Sequence, residues 1–255
     1  MPYAGMFNRC LLVLMMVLVS ANAGAEAWLI DVEGAIGPAT ADHTVRGLEQ
    51  AQLAGAEVVL LRIDTPGGLD TSMRDMIKAI LASPVPVLGY VSPGGARAAS
   101  AGTYLMYAVH IAAMAPGTNL GAATPVQMGG PGLPGLGEKG DKGEQGKDKS
   151  MQSPASAMEK KVVNDAVAYV QSLAQLRGRN AEWAEQAVRQ GVSLSAEDAL
   201  DIGVIDLIAT STGDLLNQVH GREIQLAGAA HTLNTRELAL HRHDIDWRSE
   251  FLAVI

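Results

Sequence analysis

The chain has 255 residues, enough for one sizeable α/β body, and 48% of them are hydrophobic while only 4% are aromatic. Its core is therefore expected to consist of Ala, Val, Leu, Ile and Met, packed as helices on a sheet. The formal charge of −8 provides no basic footprint and argues against a nucleic-acid partner.

At the N-terminus, Arg9 precedes an apolar run from Leu11 to Val19 that leads into Ser20-Ala21-Asn22-Ala23-Gly24-Ala25. Ala21-Asn22-Ala23 and Ala23-Gly24-Ala25 both fit the small-x-small cleavage rule. The apolar run is short for a bilayer span, so residues 1–25 read as a secretory signal peptide and the expected address is extracytoplasmic, in the periplasm. The single cysteine, Cys10, lies before that run. A processed chain would contain none, which removes disulfides, thiolate metal sites and a Cys nucleophile.

From Ala27 onward strands and helices alternate. Trp28 to Val32, Val58 to Ile63, Val85 to Val91 and His110 to Met114 read as strands. Ala39 to Ala54, Leu69 to Leu81 and Ala98 to Val109 read as the helices between and after them. Continuous apolar strands separated by amphipathic helices imply parallel pairing with helices on the faces, in a single α/β domain over 26–221. At about 127–155 the character changes: Gly129-Gly130-Pro131-Gly132 runs into a charged stretch with glycine at every third residue. That stretch is too short and too poor in proline for a triple helix, so it reads as a flexible insertion. Helices resume over Ser156 to Leu176 and Ala181 to Arg189, and Ser193-Leu194-Ser195-Ala196-Glu197-Asp198 resembles a capped helix start. Residues 222–255 read as a short β-hairpin, between Arg222 and Thr235, followed by an amphipathic tail that turns apolar from Trp247 to Ile255.

The chemistry centres on Gly94-Gly95-Ala96-Arg97-Ala98-Ala99-Ser100-Ala101-Gly102-Thr103-Tyr104. A serine at a strand-to-helix junction is presented at the carboxyl end of a sheet, beside the free N–H groups of a new helix. That placement suits a nucleophile whose oxyanion forms next to the following backbone N–H, and equally a helix cap with small neighbours. Three glycine-bearing turns follow strands: Asp64-Thr65-Pro66-Gly67-Gly68, Pro93-Gly94-Gly95 and Ala115-Pro116-Gly117-Thr118-Asn119. Such turns share one edge of an open parallel sheet. Gly67 and Gly68 can bring an N–H to a reacting carbonyl and Ala101 can supply a second donor. His110 lies ten residues beyond Ser100, roughly 15 Å along a helix, too far to act as its base. His43, His220, His231, His241 and His243 carry no supporting motif. Lysine is the alternative base: Lys139, Lys142, Lys147 and Lys149 lie in the polar insertion, while Lys160 and Lys161 open the long helix, where either could point inward.

These motifs resemble the membrane-associated Clp-class serine proteases of the NfeD family, partners of stomatin-like proteins. The resemblance runs from Trp28 to Ala209 and is carried by Asp64-Thr65-Pro66-Gly67-Gly68, Ala98-Ala99-Ser100-Ala101-Gly102-Thr103-Tyr104 and Met114-Ala115-Pro116-Gly117-Thr118-Asn119-Leu120-Gly121-Ala122-Ala123. Lys161-Val162-Val163-Asn164-Asp165, Gly178-Arg179-Asn180-Ala181 and Gly203-Val204-Ile205-Asp206 extend it. It implies a ClpP/crotonase-like α/β fold, a spiral of β-β-α units, and peptide hydrolysis by a Ser–Lys dyad with no cofactor. By motif, Ser100 matches the nucleophile, Lys161 the general base, and Gly67, Gly68 and Ala101 the oxyanion hole. The implied partners are apolar segments of membrane-linked proteins, stomatin-like proteins among them, and further copies of the chain in a homodimer or higher oligomer. Members of that family usually continue into transmembrane helices, and the run from Trp247 resembles the approach to a first span. Two other readings are an acyl-CoA enzyme of the crotonase type and a non-catalytic partner of a membrane protein.

Overall fold

Three strands whose residues are mostly buried form the centre of the molecule: β1 (Glu26–Glu33), β2 (Val58–Asp64) and β3 (Val87–Val91). The computed structural model describes residues 26–125 and 154–244. The signal segment, residues 127–153 of the insertion and the apolar tail from Trp247 lie outside the described residues. In the described part the remaining elements are α1 (Pro38–Ala54), α2 (Asp70–Ala82), β4 (Arg97–Ala99), α3 (Ala101–Ala108), β5 (Ile111–Met114), β6 (Asn119–Gly121), α4 (Pro154–Arg177), α5 (Ala181–Arg189), β7 (Ser193–Ser195), α6 (Ala196–Asp201), β8 (Leu207–Ile208), α7 (Thr212–Val219), β9 (Glu223–Leu226), β10 (Ala229–Thr232) and β11 (Ala239–Arg242).

The main sheet has the order β11-β1-β2-β3-β5-β8, and every pair in it is parallel. Alternation along each strand divides the core between its two faces. Trp28, Ile30, Val32, Val59, Leu61 and Ile63 point to the face covered by α1 to α6, while Ala27, Leu29, Val58 and Leu60 meet α7 residues Leu215, Leu216 and Val219. A second, smaller sheet of β4, β6 and β7 stands beside the carboxyl ends of the main strands and is tied to β2 by the Thr65–Ala98 bridge. The expected parallel α/β layering is what the chain forms.

Several boundaries differ from the sequence reading for one reason, long-range pairing. Ala98 and Ala99 are strong helix formers, yet they pair with Leu120 and Gly121 in β4, and α3 starts only at Ala101. Ser193 to Ser195 likewise pairs with β6 before Ser195 caps α6, its hydroxyl accepting from Asp198 N–H at 3.2 Å. Strand β11 extends the sheet edge beside β1, in a segment that carries no strand signal.

Helix α3 is buried at all eight positions, so the carbonyls of its last turn have no water to bond. The Arg179 guanidinium satisfies them: Nη1 donates to the carbonyls of Met106, Tyr107 and Val109 at 2.9, 3.2 and 3.0 Å, and Nη2 to that of His110 at 3.4 Å. The same Nη2 donates to Asp206 Oδ2 at 2.6 Å, and Arg179 has only 2% of its side chain exposed. Asp206 in turn accepts from the N–H of Ala112 at 2.6 Å, joining β8 to β5. Removing the cation would leave the helix end and a carboxylate unpaired. Arg179→Ala is expected to lower unfolding free energy by about 3–5 kcal/mol in urea titration, and Arg179→Lys to recover little of it, because an ammonium cannot reproduce the planar fork.

Candidate active site

The residue between β4 and α3 is Ser100, half-buried, with φ 51 and ψ −115. A left-handed φ on a side chain with a Cβ costs roughly 1–3 kcal/mol and persists only when its surroundings impose it. Here they do. Ser100 N–H donates to the carbonyl of Gly121 at 2.8 Å, and its own carbonyl accepts from Thr103 N–H at 2.9 Å. Thr103 Oγ1 bonds the carbonyls of Ala98 and Gly121, both at 2.9 Å. The Ser100 side chain makes no capping bond to its own helix, so its hydroxyl is not spent as a cap.

Opposite Ser100 lies the turn after β2. Gly67 is buried with φ 110, and a Cβ there would stand 2.6 Å from Ser100 Cβ and 3.1 Å from its Oγ. Only glycine allows this approach. The turn is braced by Thr65, whose hydroxyl donates to the Gly34 carbonyl at 2.6 Å and accepts from Gly67 N–H at 3.1 Å. Gly67 was one of the expected oxyanion donors; in this structure its amide donates to Thr65 Oγ1. Gly68 differs. It is exposed, and the ladder to Ile36 uses the Gly67 carbonyl and the Leu69 N–H, at 2.9 and 2.8 Å. Backbone groups alternate in such a ladder, so the Gly68 N–H points away from Ile36. Its missing Cβ is required as well, since one would stand 2.0 Å from the Ile36 carbonyl oxygen. The other two turns bond each other, Gly95 N–H to the Gly117 carbonyl at 3.0 Å.

Of the bases considered, His110 is structural. Its Nδ1 accepts from Val87 N–H at 3.1 Å, and burial, with Arg177 nearby, pushes its pKa down to about 4. His220 Nδ1 accepts from Thr235 N–H at 3.1 Å, and the rings of His241 and His243 lie against Trp28, tilted and stacked respectively. Burial pushes the Tyr104 and Tyr107 hydroxyls up, so neither is a base near neutral pH. Lys160 and Lys161 lie on α4 and are exposed; neither takes the inward position open to them in the sequence. Helices α3 and α4 run in the same sense, because Tyr104 stacks on Tyr169 with ring centroids 6.2 Å apart and Arg177 Nε donates to the Ala108 carbonyl at 2.8 Å. The N-terminal end of α4, with Lys161, is thus at the Ser100 end of α3. A contact that sequence reasoning missed joins α2 to α4: Arg74 bonds Asp165 Oδ2 at 2.6 Å and covers the Tyr169 ring at 4.4 Å. Arg74 and Asp165 lie 91 residues apart, and no local signal marks them.

An all-parallel sheet with a strained serine at the head of a buried helix, facing a glycine turn, is the ClpP-like α/β arrangement. Solved structures agree. The 1510-N membrane-bound stomatin-specific protease of Pyrococcus horikoshii, in a Lys-to-Ala form with a substrate peptide, superposes with a TM-score of 0.73 at 32% identity, covering 91% of this chain and 98% of that one. Its Ser-to-Ala form gives 0.71 at 33% identity, with 86% and 98% covered. The model of the NfeD1b N-terminal domain matches residues 26–229, and the chain belongs to that family. The membrane-bound protease PH1510 of the same archaeon is 34% identical over 209 residues, which are 81% of this chain and 43% of the relative. The membrane protein NfeD1b of Bacillus subtilis is 40% identical over 111 residues, 42% of this chain and 25% of the relative. The chain thus spans less than half the length of these curated relatives.

Two outcomes follow from the site geometry. Gly67→Ala, which drives a methyl against Ser100, is expected to lower stability by about 1–3 kcal/mol in urea titration. Gly95→Ala, at φ 90 with nothing within 4 Å of the added Cβ, carries the backbone strain alone and is the control in the same titration. For His110, folded near pH 4 against 6.5 unfolded, only the unfolded chain binds a proton between those values. Its contribution to stability is full above pH 6.5 and declines toward pH 4, by on the order of 3 kcal/mol. Urea titrations of His110→Gln across that window should show a shallower loss than the parent protein.

Proposed function

We propose that the chain is a serine endopeptidase in which Ser100 is the nucleophile and Lys161 the general base. The observation that supports this most is the strained backbone of Ser100, imposed by Gly121 and Thr103 and pressed against Gly67, with the hydroxyl left uncapped. Strain of this kind concentrates where a side chain must be aimed.

In the mechanism, the Lys161 amine takes the Ser100 hydroxyl proton as Oγ bonds to a peptide carbonyl carbon. The carbonyl oxygen becomes an oxyanion held by the N–H groups of Gly68 and Ala101, with the positive end of α3 behind them. Collapse of that intermediate breaks the C–N bond, and the leaving amine takes the proton back from Lys161. Water, deprotonated by Lys161, then attacks the acyl carbon; the C–Oγ bond breaks, Ser100 Oγ takes the proton from Lys161, and the new carboxyl group is released. Gly67 serves by its missing side chain rather than as a donor. Lys161 is exposed in the chain alone, so its desolvation is assigned to the bound substrate, an apolar segment laid over the turn beside Leu69, itself 41% exposed.

The substrates we propose are apolar segments of membrane-linked proteins, stomatin-like proteins first, acted on outside the cytoplasm. The relatives named as membrane-bound and stomatin-specific support that reading. Among the described residues no helix is long and apolar enough to cross a membrane. Ser100→Ala and Lys161→Ala are each expected to cut turnover of an apolar peptide from the C-terminal region of a stomatin-like protein by at least about a hundredfold, with thermal unfolding unchanged. Retained cleavage in either variant overturns the dyad.

A further inference from the structure

A base that is not buried is governed by the charges around it more than by desolvation. On α4, Lys161 and Asp165 are separated by one turn and lie on the same stripe, which continues to Tyr169. At that spacing a free Asp165 carboxylate, 68% exposed, would be the nearest partner for a lysine ammonium and would hold it protonated. Arg74 on α2 takes that carboxylate instead.

The hold on Arg74 is three-sided. Its Nη2 donates to Asp165 Oδ2 at 2.6 Å, its Nε donates to Asp70 Oδ2 at 2.9 Å, and its guanidinium lies 4.4 Å from the Tyr169 ring centroid. Tyr169 in turn stacks on Tyr104, one turn into the helix that Ser100 heads. An isolated exposed ion pair contributes little, but an arginine fixed by two carboxylates and an aromatic face has less freedom to lose and sets geometry as well as charge.

We propose that Arg74 and Asp165 are a positioning pair for the Ser100–Lys161 site: Arg74 neutralises Asp165 and fixes the turn of α4 that carries Lys161, keeping the amine available to Ser100 instead of paired with Asp165. The inference rests on the reading of Lys161 as general base. The other titratable or charged groups around this stretch are Glu159 and Lys160 on α4, Asp70 on α2, the neutral Tyr104 hydroxyl on α3, and Glu185 and Arg189 on α5, where Arg189 bonds Asn164 at 3.1 Å and Glu185 at 2.5 Å. They are common to all the variants compared, so their effects cancel.

The test is the pH dependence of kcat/KM for an apolar peptide in the full chain and in Arg74→Gln, Asp165→Asn and the double variant. A lysine base makes activity rise with pH through its own titration. Arg74→Gln leaves Asp165 and Asp70 uncompensated and is expected to move that rise up by about half a pH unit; Asp165→Asn removes one negative charge and leaves Arg74 paired with Asp70 alone, and should move it down by about as much. The double variant should return to the parent profile, and added salt should shrink both shifts. A purely structural role would lower activity in both single variants without opposed shifts. Competitive labelling of amines across pH, read at Lys161 by mass spectrometry, follows the same titration without turnover. Opposed shifts there with cleavage surviving Lys161→Ala would sink the dyad and keep the coupling. An inactive Lys161→Ala with no shift, or shifts of one sign, would overturn the pair and keep the dyad.

Discussion

The Arg179 guanidinium, almost wholly out of water, is what the placement of the candidate site depends on. It closes the end of α3 opposite Ser100 by donating to four carbonyls, and it reaches Asp206, which holds the start of β5. A helix with no exposed face has no solvent for its terminal groups, so a cation there is obligatory rather than decorative. The desolvation cost of such a pair cancels much of its attraction, and its main product is position. It ties α3, β5 and β8 to one another, and the head of α3 inherits that rigidity.

At the head, the constraint changes from charge to space. Ser100 sits in a left-handed conformation because its N–H and carbonyl are both bonded and because Thr103 braces the carbonyls of Ala98 and Gly121 behind it. Glycines at 67, 68 and 121 stand where a Cβ would strike Ser100, Ile36 or Val192 and Ser193. The strain at Ser100 is offset by bonds around it, so the hydroxyl is aimed without using its own hydrogen-bonding capacity.

Much of this is legible in the sequence. β1, β2 and β3 carry long apolar runs, Ala27 to Ile30, Val58 to Leu61 and Val87 to Val91, because a parallel strand is buried on both faces, and in a chain this short of aromatics such runs must supply the middle of the core. The turn at Gly67 and Gly68 and the small residues around Ser100 mark close backbone approach, which only small side chains permit. Other features leave no local trace. β4, β6 and β7 are three residues each and exist only through one another's hydrogen bonds, so Ala98 and Ala99 read as helix and fold as strand. The bond from the Gly67 amide to Thr65 depends on where a single hydroxyl rotates.

The sequence by itself determined the order and type of the long elements, the parallel sheet, and the junction at which a nucleophile would stand. These follow from periodicity and residue size, which act within a few residues along the chain. Only the tertiary structure decided the backbone conformation of Ser100, the exposed position of Lys161, the burial of Arg179 and the meeting of Arg74 with Asp165. Each of those depends on groups far apart in sequence, and burial and pairing over such separations exist only once the chain has closed on itself.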